Sequence, residues 1–316
     1  MKRICLVVLI FVLLATSAMC AEKTYSISVN QIVEHPALDA LRQGFMDSLK
    51  DEGVKAEYNV HIAQGNAATN TQIASQILGE QPDLVLAIST SSAQVVAQKI
   101  KDRPILFTGV TDPVTAGLVK SLEKPGANIS GMTDLSPMKK HVELIREIVP
   151  SVKSIGVIYN SGEPNSIVLV NLLKKYASEM SIDVVEGTIA NSSGVYQAAK
   201  SLVGRADVVY VPTDNTVVSA IESAVKVCRQ NHLPLIAADV DSVERGAVAA
   251  LAVDYYLMGR QTGEMGARVL RDGAKPADMH VETIRQLRLY ANQKSAEAMG
   301  VKLPQSVLSR ADKIIE

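Results

Sequence analysis

Tryptophan is absent from this 316-residue chain, and phenylalanine occurs only three times against nine tyrosines. An aromatic surface would therefore have few rings to draw on besides tyrosine. Cysteine is as scarce: Cys5, Cys20 and Cys228 are the full set. Two of these fall within the first 20 residues, so the body of the chain has one thiol and no internal disulfide. Stability must come from packed cores, and Cys228, in a helical pattern, reads as a small buried hydrophobe rather than a nucleophile. Neither sign of charge dominates, with 32 Lys and Arg against 33 Asp and Glu. No basic run exceeds Lys139-Lys140 or Lys174-Lys175, which argues against nucleic acid as a partner. The five histidines, His35, His61, His141, His232 and His280, share no metal-ligand spacing. There is no GxSxG elbow and no GxxxxGK[ST] phosphate loop. Asp239 and Asp241 could do acid–base work, but no activated nucleophile accompanies them. The expectation is a chain that is not an enzyme and needs no cofactor or metal.

The first residues have the form of an export signal over 1–21. Lys2 and Arg3 precede the apolar run "ICLVVLIFVLL", which is too short to span a membrane comfortably. Ala18 and Cys20 suit cleavage after Cys20. Cleavage before it would leave a cysteine for lipid attachment, although Ser17 and Met19 make a poor lipoprotein box. Nothing after residue 22 is long and apolar enough for a membrane helix. The mature chain is expected in the periplasm or on the extracellular face.

From Tyr25 onward, apolar runs of strand length alternate with longer stretches of helical period. Strands are expected at 24–32, 54–61, 83–88, 104–107, 153–159, 182–188, 207–211 and 233–237. Helices are expected at 36–52, 67–79, 91–101, 136–148, 164–180, 193–203 and 215–230. This alternation predicts parallel sheets covered by helices, an α/β fold. It occurs twice, with the Gly-, Ser- and Pro-rich "GANISGMTDLSP" between the two sets as a crossover. Leftover elements after residue 246 imply that the chain passes between the lobes more than once.

Ligands of open α/β sheets sit beyond the carboxyl ends of the strands, where helix N-termini offer free N–H groups. The turns at those places are unusually polar. They read "STSS" at 89–92, "TGVTDP" at 108–113, "NSGEPNS" at 160–166, "TDNT" at 213–216 and "ADVDS" at 238–242. One Ser, Thr, Asp or Asn suffices as a helix cap, yet these turns offer two to four. A cleft lined by hydroxyls, amides and a few carboxylates suits a small zwitterion, with donors for its carboxylate and an Asp for its ammonium.

Longer stretches carry a resemblance. "SVNQIVEHPALDALRQGFMDSLKDEG", "FTGVTDPVTAGLVKSLEKPGANISGMTDLSP", "IGVIYNSGEPNS", "VYVPTDNTVVSA" and "GAVAALAVDYYLMGRQTGEMGARVL" occur in order between about Ser26 and Asp312. Together they resemble the ABC-transporter substrate-binding proteins of the tryptophan/tyrosine-uptake type. The resemblance implies a type I periplasmic-binding architecture: two Rossmann-like lobes joined by three crossovers. The first lobe would hold 22–134 and about 254–276, the second 135–253 and about 277–316, with hinges near "SGMTD" and before Tyr255. It also implies an extracytoplasmic receptor, acting as a monomer, that carries an amino acid to an ABC permease. A sensing module of the same fold that signals to a membrane receptor is the alternative. Carried over residue by residue, Ser91, Ser92, Thr111 and Asp112 look like first-lobe contacts to the ligand's charged groups. Asn165 and Ser166 look like second-lobe contacts, and Asp214, Asn215 and Asp239 the remaining clamp. Gln31 and His35 reach the cleft or serve only as a cap and a surface residue. Tyr159, Tyr255 and Tyr256 stack on an aromatic ligand or belong to the core. In "STSS", one hydroxyl is expected to cap the helix while the others face the ligand.

Overall fold

The computed structural model describes residues 23–284 and 286–316. The export signal and the alternative lipid site at Cys20 lie outside the described residues. Among the described residues no helix is long and apolar enough to cross a membrane.

The first sheet contains β1 (Tyr25–Gln31), β2 (Ala56–Ile62), β3 (Leu84–Ile88), β4 (Ile105–Val110), β5 (Ile129–Thr133) and β11 (Glu282–Thr283). Their order is β11-β5-β4-β3-β1-β2, and every pairing is parallel. The second sheet contains β6 (Ser154–Asn160), β7 (Asp183–Ile189), β8 (Val208–Val211), β9 (Leu235–Ala237), β10 (Ala249–Val253), β12 (Leu287–Asn292) and β13 (Lys313–Ile315). Its order is β13-β12-β10-β9-β8-β6-β7, parallel except between β10 and β12. The strand sequences explain this. "LVLAI" and "VVYV" are buried along their whole length, as parallel strands covered on both faces must be.

Helices α1 (Pro36–Asp51), α2 (Ala67–Glu80), α3 (Thr90–Lys99) and α10 (Tyr255–Leu270) cover the first sheet. Around the second lie α4 (Met138–Ile148), α5 (Pro164–Glu179), α6 (Val195–Leu202), α7 (Asn215–Ser219), α8 (Ile221–Gln230), α9 (Asp241–Glu244), α11 (Gln293–Ala298) and α12 (Gln305–Leu308). The stretch expected as one helix over 215–230 is two, broken at Ala220, whose φ of −128° is not helical. Helix α1 starts where Pro36 can stand without an N–H, and it buries Leu38, Leu41, Phe45 and Leu49. Each such side chain contributes about 1.5–3 kcal/mol when fully buried.

The chain crosses between the lobes three times: after β5, after β10 and between β11 and β12. The third crossing falls later than the expected 277. Met279 and Val281 belong to the first core, and β11 extends the first sheet. The segment read only as a crossover also hides a strand. "ISGMT" forms β5, buried throughout. A Cβ at Gly131 would stand 1.9 Å from the Phe107 carbonyl oxygen, so glycine there lets β5 lie against β4. The second return is fixed by a similar approach of backbones. Helix α10 packs on α1, where Cβ atoms at Gly44 and Gly259 would meet the carbonyl oxygens of Tyr256 and Leu41 at 2.2 and 2.0 Å.

Candidate functional site

Between the lobes lies a small inner cavity whose walls come from both lobes. Lobe one lines it with His35, Ala37 and Leu38 at the start of α1, and with Gly109 and Thr111 after β4. Lobe two supplies Asn165 from α5, Thr213, Asp214, Asn215 and Val218 around α7, and Asp239 after β9. Two further residues come from the crossovers, Asp134 after β5 and Tyr255 at the start of α10. A wider outer cleft of about 820 Å³ opens beyond it, lined by residues of both lobes, Ser91 and Asn160 among them.

The carboxylates are held by hydrogen bonds from within the protein. Asp214 is the N-cap of α7. Its Oδ1 accepts from Val217 N–H at 2.8 Å, and its Oδ2 accepts from Asn160 N–H and Ser166 Oγ–H, both at 2.6 Å. Asp239 accepts from Ser242 N–H at 2.8 Å and from the Ser242 hydroxyl at 2.6 Å. Asp134 accepts from the Tyr255 hydroxyl at 2.8 Å and the Thr111 hydroxyl at 3.2 Å. The Tyr255–Asp134 bond joins two of the three crossovers. Burial pushes all three pKa values up, because a charge in a low-dielectric interior is costly. For Asp214, burial and then the neighbouring Glu163 charge raise it to about 7 against the bonds from Ser166, Asn160 and Val217. For Asp134 and Asp239 burial outweighs the hydrogen bonds from Tyr255 and Ser242.

Glu163, part of the polar turn "NSGEPNS" but not among the expected ligand contacts, organises the second-lobe side. Its Oε2 accepts from Asn215 N–H at 3.1 Å, Asn215 Nδ2–H at 2.6 Å and Asn165 Nδ2–H at 3.2 Å. Its Oε1 accepts from Thr216 N–H at 2.9 Å and the Thr216 hydroxyl at 2.6 Å. The amide of Asn165 also donates to the Thr213 carbonyl at 3.0 Å. That orientation leaves Asn165 Oδ1 as a buried acceptor without a partner in the protein, as is Thr213 Oγ1.

The first-lobe side is a donor side. His35 is the N-cap of α1, and its Nδ1 accepts from Leu38 N–H at 3.5 Å. The proton of the neutral ring is then on Nε2, which is buried beside the Asn215 side chain without a hydrogen bond of good geometry. Burial holds the His35 pKa down at about 4, with Asn215 opposing and Arg245 assisting. The N-terminus of the 16-residue α1 adds a partial positive charge at the same wall.

Six of the eleven residues singled out from the sequence line this cavity: His35, Thr111, Asn165, Asp214, Asn215 and Asp239. Ser166 stands behind Asp214 as its hydrogen-bond donor. Ser91 lines only the outer cleft. Three lie elsewhere because their polar atoms have local work. Gln31 donates to the Val33 carbonyl and Asp39 and accepts from Arg42. Ser92 donates to Asn70 at 3.4 Å. Asp112 caps the turn after it, accepting from Val114 N–H, Thr115 N–H and the Thr115 hydroxyl. The "STSS" turn also differs from expectation. Ser89 occupies the N-cap position of α3 but makes no side-chain cap bond, and its backbone sits at φ +88°, ψ 162°. Of the tyrosines, Tyr255 lines the cavity, Tyr159 donates to Glu186 at the 2.5 Å limit, and Tyr256 donates to Asp47. Thr213, in the polar turn "TDNT" but not among the expected contacts, lines the cavity, as does Asp134, which follows a strand that the sequence did not reveal.

Comparison with known proteins places the chain in a family. The family model for ABC transporter substrate binding proteins matches residues 26–315. A tyrosine-binding protein of Clostridioides difficile is 43% identical over 286 residues, covering 89% of this chain and 83% of that one. The solved ABC domain from Streptococcus pneumonia in complex with L-Trp is 33% identical, with a TM-score of 0.89, covering 93% of this chain and all of that one. The ligand-free, open structure of a substrate-binding protein with adhesive properties from Clostridium difficile is 42% identical. Its TM-score is only 0.69, over 92% of this chain and 99% of that one. Identity runs the opposite way to the scores, so divergence does not explain the lower one. The chain belongs to the family of ABC transporter substrate-binding proteins.

Proposed function

We propose that this protein is the extracytoplasmic receptor of an ABC importer and that its cargo is a free L-amino acid with an aromatic side chain. The observation that carries the reading is the chemistry of the inner cavity. Its second lobe and crossovers supply carboxylates, Asp134, Asp214 and Asp239. Its first lobe supplies the N-terminus of α1 and the Nε2–H of His35. An ammonium suits the former and a carboxylate the latter. The tyrosine and tryptophan named for the two relatives share that zwitterionic end and a ring. In this reading Thr111, Asn165 and Asn215 complete the polar clamp, Tyr255 flanks the ligand, and the loaded receptor docks on a membrane permease.

A thermal-shift panel of amino acids, sugars and nucleosides tests it. A ligand that binds only the folded state at a thousand times its Kd stabilises by about 4 kcal/mol, an effect easily seen in the melting curve. L-tyrosine or L-tryptophan should give the largest shift. A sugar or nucleoside response with none from any amino acid would sink the proposal.

A further inference from the structure

The two ends of the proposed ligand meet very unequal partners. Among the described residues, the ionisable side chains lining the inner cavity are Asp134, Asp214, Asp239, Tyr255 and His35. No lysine or arginine is with them. The cation that bears on His35 and Asp239 is Arg245, and it is fully engaged elsewhere. Its Nε and Nη2 donate to the two oxygens of Glu222 at 2.6 and 2.8 Å, and its Nη1 donates to the Val218 carbonyl at 2.7 Å. A ligand carboxylate would find only neutral donors, the His35 Nε2–H and the N-terminus of α1. It would also stand beside three aspartates, whose ionisation it would oppose. An ammonium would find three carboxyl groups already fixed in place by Ser242, Tyr255, Thr111 and the cap of α7, and its charge would favour their ionised form.

We propose that recognition is decided at the ammonium, and that the same cavity therefore takes aromatic monoamines, the decarboxylated counterparts of aromatic amino acids. This rests on the amino-acid reading above and narrows it to a charge rule. A monoamine keeps every carboxylate contact and drops the one group that opposes the ionisation of the aspartates. What it forgoes is a set of hydrogen bonds from neutral donors, charge-assisted by the ligand carboxylate but without a cation to pair it.

Calorimetric titration of the dialysed full-length mature protein with three ligands of one ring tests the rule. The ligands are L-tyrosine, tyramine and 3-(4-hydroxyphenyl)propionate. Tyramine should bind within about tenfold of L-tyrosine, and the propionate at least roughly a hundredfold more weakly than either. Tight L-tyrosine binding with tyramine more than about a hundredfold weaker would overturn the charge rule and leave the amino-acid reading standing. The α1 wall would then be the decisive one. Tyramine binding without L-tyrosine or L-tryptophan binding would uphold the rule and end the amino-acid reading. Binding of the propionate in preference to tyramine would overturn the rule outright.

Discussion

Replacing Glu163 by Gln isolates the residue that holds the second-lobe wall in shape. Glu163 accepts five hydrogen bonds, two of them from the backbone N–H groups of Asn215 and Thr216. A glutamine must put an NH2 where one carboxylate oxygen stood. The least costly arrangement puts it at the Oε1 position, where the Thr216 hydroxyl can turn and accept, leaving Thr216 N–H without a partner. The three bonds to Oε2 persist but lose charge assistance. At about 1.5–3 kcal/mol per bond to a charged acceptor, the change costs about 3–5 kcal/mol. Something is regained, because Glu163 repels the Asp214 carboxylate. Asp214 is held at about 7 against an ordinary 3.8, first by burial and second by Glu163. At 1.36 kcal/mol per pH unit, that whole displacement lowers stability by about 4 kcal/mol above pH 7, and Glu163 adds to it after burial. Glu163→Gln should therefore destabilise the ligand-free protein at pH 7.5, by less than the full cost of about 3–5 kcal/mol, because the relieved repulsion offsets part of it. The pH dependence has a definite sign. Because the folded pKa of Asp214 is raised, the folded state binds the extra proton between 3.8 and 7, and stability falls as pH rises through that window. At pH 5.5 Asp214 is neutral in the parent, so the substitution has no repulsion to relieve. The deficit of the variant should be larger at pH 5.5 than at 7.5. Urea denaturation of both proteins at the two pH values measures it, and their difference cancels the opposing contribution of the buried histidines. A variant as stable as the parent at either pH, or a deficit that grows toward pH 7.5, would refute the reasoning.

Two other substitutions probe the frame around the site. Ser89 sits at φ +88°, ψ 162°, a region almost confined to glycine, and such strain costs about 1–3 kcal/mol. Ser89→Gly should raise the melting temperature despite the greater freedom that glycine gives the unfolded chain, and a lower melting temperature would show that the turn is not strained. At Gly259, a Cβ would stand 2.0 Å from the Leu41 carbonyl oxygen, a backbone atom that cannot rotate away. Gly259→Ala should cost roughly 3 kcal/mol or more by forcing α10 off α1, read as a lower urea midpoint, and an unchanged midpoint would mean that the two helices part without loss.

How much of this was legible in the sequence follows from how local each feature is. The strands announced themselves because a parallel strand buried on both faces is an unbroken apolar run, as in "LVLAI" and "VVYV". Strand β5 did not, because "ISGMT" contains the Gly131 that its close approach to Phe107 demands, and Gly beside Ser reads as a turn. The polar turns were legible as a class, since ligands of such sheets meet the strand ends. Which hydroxyl or carboxylate within a turn faces inward was not legible. Asp112 and Asp239 both follow first- or second-lobe strands and look alike in one dimension. Asp112 accepts from the N–H groups of the next residues in its own turn, on the outside. Asp239 does the same with Ser242 yet still borders the cavity.

Asp134 is the instructive omission, and from sequence its partner Tyr255 stands between a ligand contact and the core. They are 121 residues apart, and the bond between them depends on two separate crossings of the chain reaching one place. No periodicity or spacing encodes that meeting. It follows from the topology, in which β5 and β10 each hand the chain to the other lobe at the same side of the cleft. A carboxylate at one handover, bonded to a hydroxyl at the other, is tied to the angle between the lobes in a way that Asp239, rooted in one lobe, is not. Contacts that favour one lobe arrangement are the only ones through which a ligand can shift it. Any ligand that reaches Asp134 touches a residue whose partner moves with the second crossover, so residues outside both sheets bear most directly on closure.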